Sequence, residues 1–209
     1  MNKAKELQGV REDMEKDRTL PLVSKPEDVI PGDGNPDSEI VFIGEAGGYY
    51  ESIQRKPFVG NAGLLLNRLL RLINIPRESV YITNMVKTRP PENRDPLPEE
   101  LAAYSKYLDR ELEIIQPRVV ITLGRFSMAK FLPGVFISDI HGKSREIEWK
   151  GRKITVIPMY HPAAALRNGA IMTKIKEDFA KIPLILEDMK TKKDDIIKSE
   201  EEVTQMELL

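Results

Sequence analysis

Three side chains stand in sequence contexts where they could bind a flat base and act on it. Phe58 lies in a loop rich in glycine and proline, where its ring could stack on a base or instead fill the core. Asn84 ends an apolar run, and its carboxamide could accept from N3–H and donate to O4 of a base such as uracil, a pattern that cytosine reverses. Its alternative role is a turn or helix cap. His161 also ends an apolar run, and it could donate a hydrogen bond to a leaving group or be structural.

A glutamate among glycines follows the first apolar run. Gly44 and Gly48 flank Glu45 in this segment, and glycine lets the backbone approach a ligand closely. The alternative is a tight turn that carries an exposed glutamate. The segment fits neither the dinucleotide-binding glycine pattern nor the P-loop, because no Gly-Lys-Ser/Thr follows it.

Basic residues follow two of these segments. Lys87, Arg89 and Arg94 lie in a proline-rich loop after Asn84, and Arg167 follows His161. They could bind phosphates and give a salt-dependent affinity for nucleic acid. A solvated surface is the alternative, which the net charge of −1 favours. If nucleic acid is the partner, the positive charge that binds it must therefore be local.

Short apolar runs that alternate with amphipathic stretches predict an α/β fold. Strands are predicted over residues 39–43, 80–84, 119–123 and 153–159. Helices are predicted over residues 1–18, 62–74, 98–116, 124–132 and 172–186, and residues 44–63 are predicted to be a long loop. This pattern favours a parallel sheet covered on both faces, in which ligands bind beyond the carboxyl ends of the strands. Glu45, Asn84 and His161 are therefore expected to share one site.

The composition excludes several kinds of site and indicates the class of protein. Without cysteine, the chain can form no disulfide, thiolate nucleophile or cysteine-ligated metal site, and its two histidines are too few for a histidine-rich one. No apolar run reaches the roughly 18 residues of a membrane helix, so we expect a cytoplasmic protein, nucleoid-associated in a prokaryote. We expect one domain over residues 1–189, with a helix and an irregular segment in 1–36, and a charged, flexible tail over 190–209.

Taken together, the segments resemble the family 4 uracil-DNA glycosylases. The matching text is IGEAGG, KPFVGNAGLLLNRLL, VYITNMVKTRPPENRDP, QPRVVITLGR and YHPAAALR, in the family's order and spacing. The resemblance covers approximately residues 21–179. It implies a three-layer αβα sandwich with a four-stranded parallel sheet between helices, and it implies release of uracil from DNA.

The resemblance also implies a role for each matching residue. Phe58 would stack on the flipped uracil, Asn84 would read its edge, and His161 would stabilise negative charge on O2. Glu45 would lie beside the base, either ordering water or guarding C5. The substrate-binding set is Phe58, Asn84, Gly44, Gly48 and Gly60, and the DNA-binding set is Lys87, Arg89, Arg94, Leu166 and Arg167, with Leu166 and Arg167 entering the duplex behind the extruded nucleotide.

Two features depart from the family pattern. Members usually hold an iron–sulfur cluster on four cysteines, whose positions here are occupied by Asp17, Leu20, Thr88 and Tyr104. We therefore expect no cofactor, with Leu20 and Tyr104 replacing the metal by packing. Gly47 stands where the family usually has proline, so the loop of Glu45 is expected to be less preorganised.

The sequence thus predicts a monomeric, monofunctional uracil-DNA glycosylase acting on single- or double-stranded DNA. One alternative is a related glycosylase with another base preference, such as hypoxanthine. A second is a non-catalytic binder of damaged DNA, which the lost cysteines and Gly47 would suit. A nucleotide-binding α/β domain would suit the fold, but it leaves the motifs around Asn84 and His161 unexplained.

Overall fold

The fold is built on one sheet of six strands. The computed structural model describes the backbone of residues 2–207 and the side chains of residues 2–189 and 191. The strands are β1 (Asp33–Gly34), β2 (Ile40–Gly44), β3 (Tyr81–Asn84), β4 (Val119–Leu123), β5 (Arg145–Trp149) and β6 (Arg152–Met159). Their order across the sheet is β1-β3-β2-β4-β6-β5.

The prediction of a four-stranded parallel sheet is wrong for the sheet as a whole. The four inner strands are parallel, but β1 pairs antiparallel with β3 and β5 pairs antiparallel with β6. β1 is two residues long in a proline- and glycine-rich segment, so it carries no readable periodicity. β5 joins β6 through Lys150 and Gly151, whose positive φ angles of 47° and 76° are those of a tight hairpin turn.

Helices cover both faces of the sheet. They are α1 (Lys3–Lys16), α2 (Tyr49–Gln54), α3 (Asn61–Leu72), α4 (Pro98–Ile115), α5 (Arg125–Phe131), α6 (Ile137–Ile140), α7 (Pro162–Arg167) and α8 (Gly169–Glu207). Alternate residues of β2 face opposite ways: Phe42 packs with Leu66 of α3 and Phe179 of α8, whereas Val41 packs with Leu112 of α4. The four inner strands are largely apolar because both of their faces are buried.

Four helices differ from the predicted elements, and one of them, α6, lies where no element was predicted. The segment predicted as a loop over residues 44–63 contains α2, and α7 follows directly after His161. The last helix begins at Gly169 and continues to Glu207, through most of the predicted tail. The flexibility of that tail stays a prediction, and residues 208 and 209 lie outside the described part of the chain.

The N-terminal segment packs against α4 in a separate apolar cluster. Leu20 and Tyr104, at two of the family's cluster-ligand positions, are both buried there with Met14 of α1. The Tyr104 hydroxyl donates to the carbonyl of Pro21 over 2.7 Å. Aromatic packing and a hydrogen bond thus occupy the region that the resemblance assigns to metal.

A buried ion pair joins the end of β3 to α4. Lys87 is fully buried, and its Nζ donates to the carboxylate of Glu111 and to the hydroxyl of Thr83. Burial lowers the pKa of Lys87, and Glu111 opposes that shift. The expectation that Lys87 binds a DNA phosphate is therefore wrong, because its ammonium group has no exposure to solvent.

We expect the single substitutions Lys87→Met and Glu111→Leu each to lower the free energy of unfolding by about 3–5 kcal/mol, since each leaves an uncompensated buried partner. The double variant should lose much less free energy of unfolding than the sum of the two single losses. Urea unfolding of the four proteins measures the coupling. Glu146→Gln, in the exposed pair with Lys153, is the control and should change stability by less than about 1 kcal/mol. Additive losses from the two single substitutions would contradict this interpretation.

Candidate active site

Residues at the carboxyl ends of the inner strands line one pocket of about 750 Å³. Its lining includes the predicted site residues Glu45, Gly48, Phe58, Arg94, His161, Leu166 and Arg167. It also includes Glu51, Asn93, Asp95 and Arg125, which sequence reasoning did not select. Parallel strands bring these residues together because their carboxyl ends meet at the same edge.

Asn84 is not among the residues that line this pocket, but it lies next to Phe58, which does. The predicted site residues Gly44, Gly60, Lys87 and Arg89 are also absent from the lining. Strand pairing places Asn84 beside Gly44, and a Cβ atom added to Gly44 would overlap the Asn84 Oδ1 and come within 2.6 Å of the Phe58 ring. Glycine is therefore required where these two side chains converge. Asn84 is 3% exposed, and its Oδ1 has no hydrogen-bond partner among the described residues. An unpaired buried acceptor is costly, so this oxygen is suited to a ligand that donates.

The Phe58 backbone adopts a left-handed conformation, with φ of 54°, that a non-glycine residue rarely takes. Two buried or half-buried charged groups hold the loop there. The Glu51 carboxylate accepts from the amides of Val59, at 2.9 Å, and Gly60, at 2.7 Å. Arg77 donates to the carbonyl oxygens of Phe58, at 3.0 Å, and Pro57, at 2.7 Å. The strained residue is thus fixed from both sides.

His161 is held in one tautomer. Its Nδ1 accepts from the backbone amide of Ala163 at 3.1 Å, which places the proton of the neutral ring on Nε2. Burial, with the nearby charge of Arg167, lowers the pKa of His161 to about 4. The ring lies 5.6 Å from that of Phe58. The site therefore contains a neutral imidazole that can donate from Nε2.

The pKa of Glu45 is shifted in the opposite direction from that of His161. Burial, followed by the charge of Asp95, raises the pKa of Glu45 to about 7, while Arg125 and Arg167 oppose the rise. A carboxyl group with a pKa near neutrality can exchange a proton at physiological pH. Of the ionisable groups that line the pocket, Glu45 is thus suited to act as a base.

Gly47 is anchored rather than loose. Its amide donates to the carbonyl of Thr88 at 3.1 Å, and a Cβ atom at this position would overlap the side chain of Ile30. Proline would lack that donor. The expectation of a less preorganised loop is therefore not supported, because a backbone hydrogen bond ties the loop of Glu45 to the segment after β3.

The predicted phosphate contacts differ in their availability. Leu166 and Arg167 are exposed at the pocket rim. Arg94 donates to both carboxylate oxygens of Glu100, at 2.9 and 2.6 Å, so part of its hydrogen-bonding capacity is used within the protein. Arg89 donates to Asn93 Oδ1 at 2.9 Å.

The second histidine lies beside the pocket rather than in it. The Nδ1 atom of His141 is 2.5 Å from the buried carboxylate of Asp178, and the ring packs against Tyr160 at 4.7 Å between centroids. Tyr160 immediately precedes His161. His141 therefore supports the strand end that carries His161, in addition to ending α6.

Comparison with known proteins agrees with this site. Residues 31–183 match the model of the uracil DNA glycosylase superfamily. Relatives named type-4 uracil-DNA glycosylase include one from Archaeoglobus fulgidus, 48% identical over 73% of this chain and 79% of its own length, and one from Thermotoga maritima, 45% identical over 76% and 82%. The chain belongs to the type-4 uracil-DNA glycosylases.

The family's iron–sulfur cluster does not fit this member. Asp17, Leu20, Thr88 and Tyr104 supply no thiolate, and the chain has no cysteine that could replace them. Asp17 instead accepts hydrogen bonds from Thr19 and Tyr107, which hold its pKa well below the usual range. In the described part of the chain, no group of three or more histidine and carboxylate side chains could hold a metal ion. None of the helices described is long and apolar enough to cross a membrane.

Glu51 and Arg77, which hold the loop of Phe58 in place, had weaker sequence signals than most residues that line the pocket. Glu51 is the third residue of α2 and accepts from the amide of Gly48 at its start, as in a capping box. That spacing could have been found had the segment not been assigned to a loop. Arg77 gave no such signal, because its partners are carbonyl oxygens about twenty residues away.

We expect Glu51→Gln to weaken the loop of Phe58, because one amide oxygen cannot replace two carboxylate oxygens that serve three backbone amides. The free energy of unfolding should fall by about 1.5–3 kcal/mol. Hydrogen exchange at Val59 and Gly60 should accelerate more than at strand residues. Glu78→Gln, at an exposed glutamate, is the matched control. Unchanged exchange at both amides in Glu51→Gln would contradict the role of Glu51.

Proposed function

We propose that this protein removes uracil from DNA by hydrolysing its N-glycosidic bond, and so initiates base excision repair. The observation that carries the proposal is that the ring of Phe58 and the neutral imidazole of His161 line one pocket, while the unpaired carboxamide oxygen of Asn84 lies beside Phe58. Membership of the type-4 uracil-DNA glycosylases supports the same activity.

Asn84 selects the base. Its Oδ1, which lacks a partner among the described residues, accepts from uracil N3–H, and its amide group donates to O4. Cytosine has an acceptor at N3 and a donor at N4, so both groups of Asn84 would face like groups. Sites built to pair with a specific hydrogen-bonding pattern reject the wrong one strongly, because their buried polar groups are left unpaired.

Access to the base requires its extrusion from the duplex, which costs a few kcal/mol. Leu166, 44% exposed at the rim, fills the space that the nucleotide leaves, and Arg167 contacts the adjacent phosphates. The ring of Phe58 then stacks on the extruded uracil.

Bond cleavage leaves positive character on the sugar and negative charge on the base. The electron pair of the C1′–N1 bond moves into uracil, and His161 Nε2–H donates to O2 as charge builds there. Glu45 accepts a proton from the water whose oxygen adds to C1′. The products are uracil and an abasic site. No lysine is among the residues lining the pocket in the described part of the chain, so the enzyme is monofunctional.

Incubation with a uracil-containing oligonucleotide, followed by alkali, is expected to cleave the strand at the uracil. His161→Ala should reduce the excision rate about 100- to 1,000-fold, as for the loss of one oxyanion donor. Asn84→Ala should also reduce it, and Leu72→Ala, at an exposed site on α3, is the control. Strand cleavage without alkali would exclude a monofunctional enzyme. Release of hypoxanthine instead of uracil, or of no base, would overturn the proposal.

The pH dependence separates the two ionisable groups. The rate should fall as pH drops through about 7, because Glu45, with its pKa raised to about 7, becomes protonated and can no longer accept a proton. His161, with its pKa lowered to about 4, stays neutral over that range and should add no limb above about pH 5. Glu45→Gln should be slow and flat around neutrality. A limb near pH 7 that persists in Glu45→Gln would assign the titration to another group.

A further inference from the structure

We propose that Tyr49, Tyr50 and Arg89 form a stacking subsite for unpaired bases next to the extruded uracil, which adapts the enzyme to single-stranded DNA. The inference rests on the proposed function and adds to it the form of DNA that is preferred. It is carried by the exposure, arrangement and location of these side chains.

The outer face of α2 is apolar and aromatic. Tyr49 is 53% exposed, Tyr50 is 55% exposed and Ile53 is 62% exposed, while Glu51 on the same helix points inward to the loop of Phe58. The two tyrosine rings meet edge to face at 5.5 Å between centroids. Contiguous exposed apolar patches mark interaction sites on soluble proteins, and these three side chains are neighbours on one helix face.

A cation completes this surface. The Arg89 guanidinium lies 5.1 Å from the centroid of the Tyr49 ring, and its Nε donates to Asn93. Lys56 follows α2 and is also exposed, beside Asp33. Aromatic rings and guanidinium planes are the groups on which nucleic acid bases stack, and the positive charge suits the phosphates between them.

The surface is continuous with the pocket. Gly48, directly before Tyr49, and Asn93, which Arg89 contacts, both line the pocket. The Arg89 loop follows β3, whereas Leu166 and Arg167 follow β6, and β2 and β4 lie between these two strands in the sheet. A strand that delivers its uracil to the pocket therefore passes Leu166 on one side and the tyrosines on the other.

The chemistry favours unpaired nucleotides. In a duplex, each base already stacks on its neighbours and offers only its edges, so a tyrosine ring has no base face to contact. In a single strand, the bases adjacent to uracil can rotate onto Tyr50 or onto the Arg89 plane. Stacking of this kind tolerates any base, because every base presents an aromatic face.

The test compares uracil excision from single-stranded and duplex oligonucleotides of the same sequence. The double variant Tyr49→Ala/Tyr50→Ala is expected to lower kcat/KM on the single strand at least about fivefold more than on the duplex. Tyr49→Phe/Tyr50→Phe retains the rings and should restore the single-strand value to within about twofold of the wild type. Leu72→Ala, which removes an exposed leucine on α3, is the matched control.

A second measurement changes the DNA instead of the protein. Single-stranded oligonucleotides in which the nucleotides flanking uracil are replaced, one at a time, by abasic residues remove the stacking partner from the DNA. An abasic replacement on one side of the uracil should lower the kcat/KM of the wild type at least about fivefold. The same replacement should lower the kcat/KM of the alanine double variant no more than about twofold.

Three results would overturn the subsite. The alanine variant could lose kcat/KM equally on both forms of DNA, it could lose none, or the phenylalanine variant could share its loss. Insensitivity of the wild type to the abasic replacements would also overturn it, even if the alanine variant failed to fold. Failure of the proposed function is distinct, because the wild type would then release no uracil from either substrate.

Discussion

The carboxylate of Glu51 must satisfy three backbone amides at once, and the geometry of the pocket depends on it. One oxygen holds Gly48, at the end of the segment that carries Glu45, and the other holds the loop of Phe58. The segment that carries Glu45 and the loop that carries Phe58 are therefore both held by the Glu51 carboxylate. The left-handed backbone of Phe58 persists because this carboxylate and the guanidinium of Arg77 fix its neighbours.

Burial shifts the pKa values of the two ionisable groups in the pocket, Glu45 and His161, in opposite directions. Burial disfavours the charged form of any group, so it lowers the pKa of His161 and raises that of Glu45. The histidine is thereby kept as a neutral donor and the glutamate is brought near neutrality. One feature of the environment suits the proposed donor to the departing base and the proposed acceptor to the incoming water.

Much of this arrangement could be read from the sequence. Apolar runs predicted the four inner strands because buried strands leave a continuous signal, and the polar residues after two of them, Glu45 and His161, line the pocket. β1 and β5 were missed because edge strands are short or alternate only weakly. Lys87 was misassigned to the surface, since its partner Glu111 lies on a helix whose packing no local pattern reveals. Arg77 was missed for the same reason, as its contacts join distant parts of the chain.

The packing around Tyr104 has a consequence for where this fold can be maintained. A phenol bonded to the carbonyl of Pro21 holds the N-terminal segment to α4, in the region where relatives are expected to carry iron. Such a contact is insensitive to oxygen, peroxide and chelators, and it forms as soon as the polypeptide folds, without cluster assembly machinery. Oxidative stress, which itself damages DNA, would leave this anchor intact.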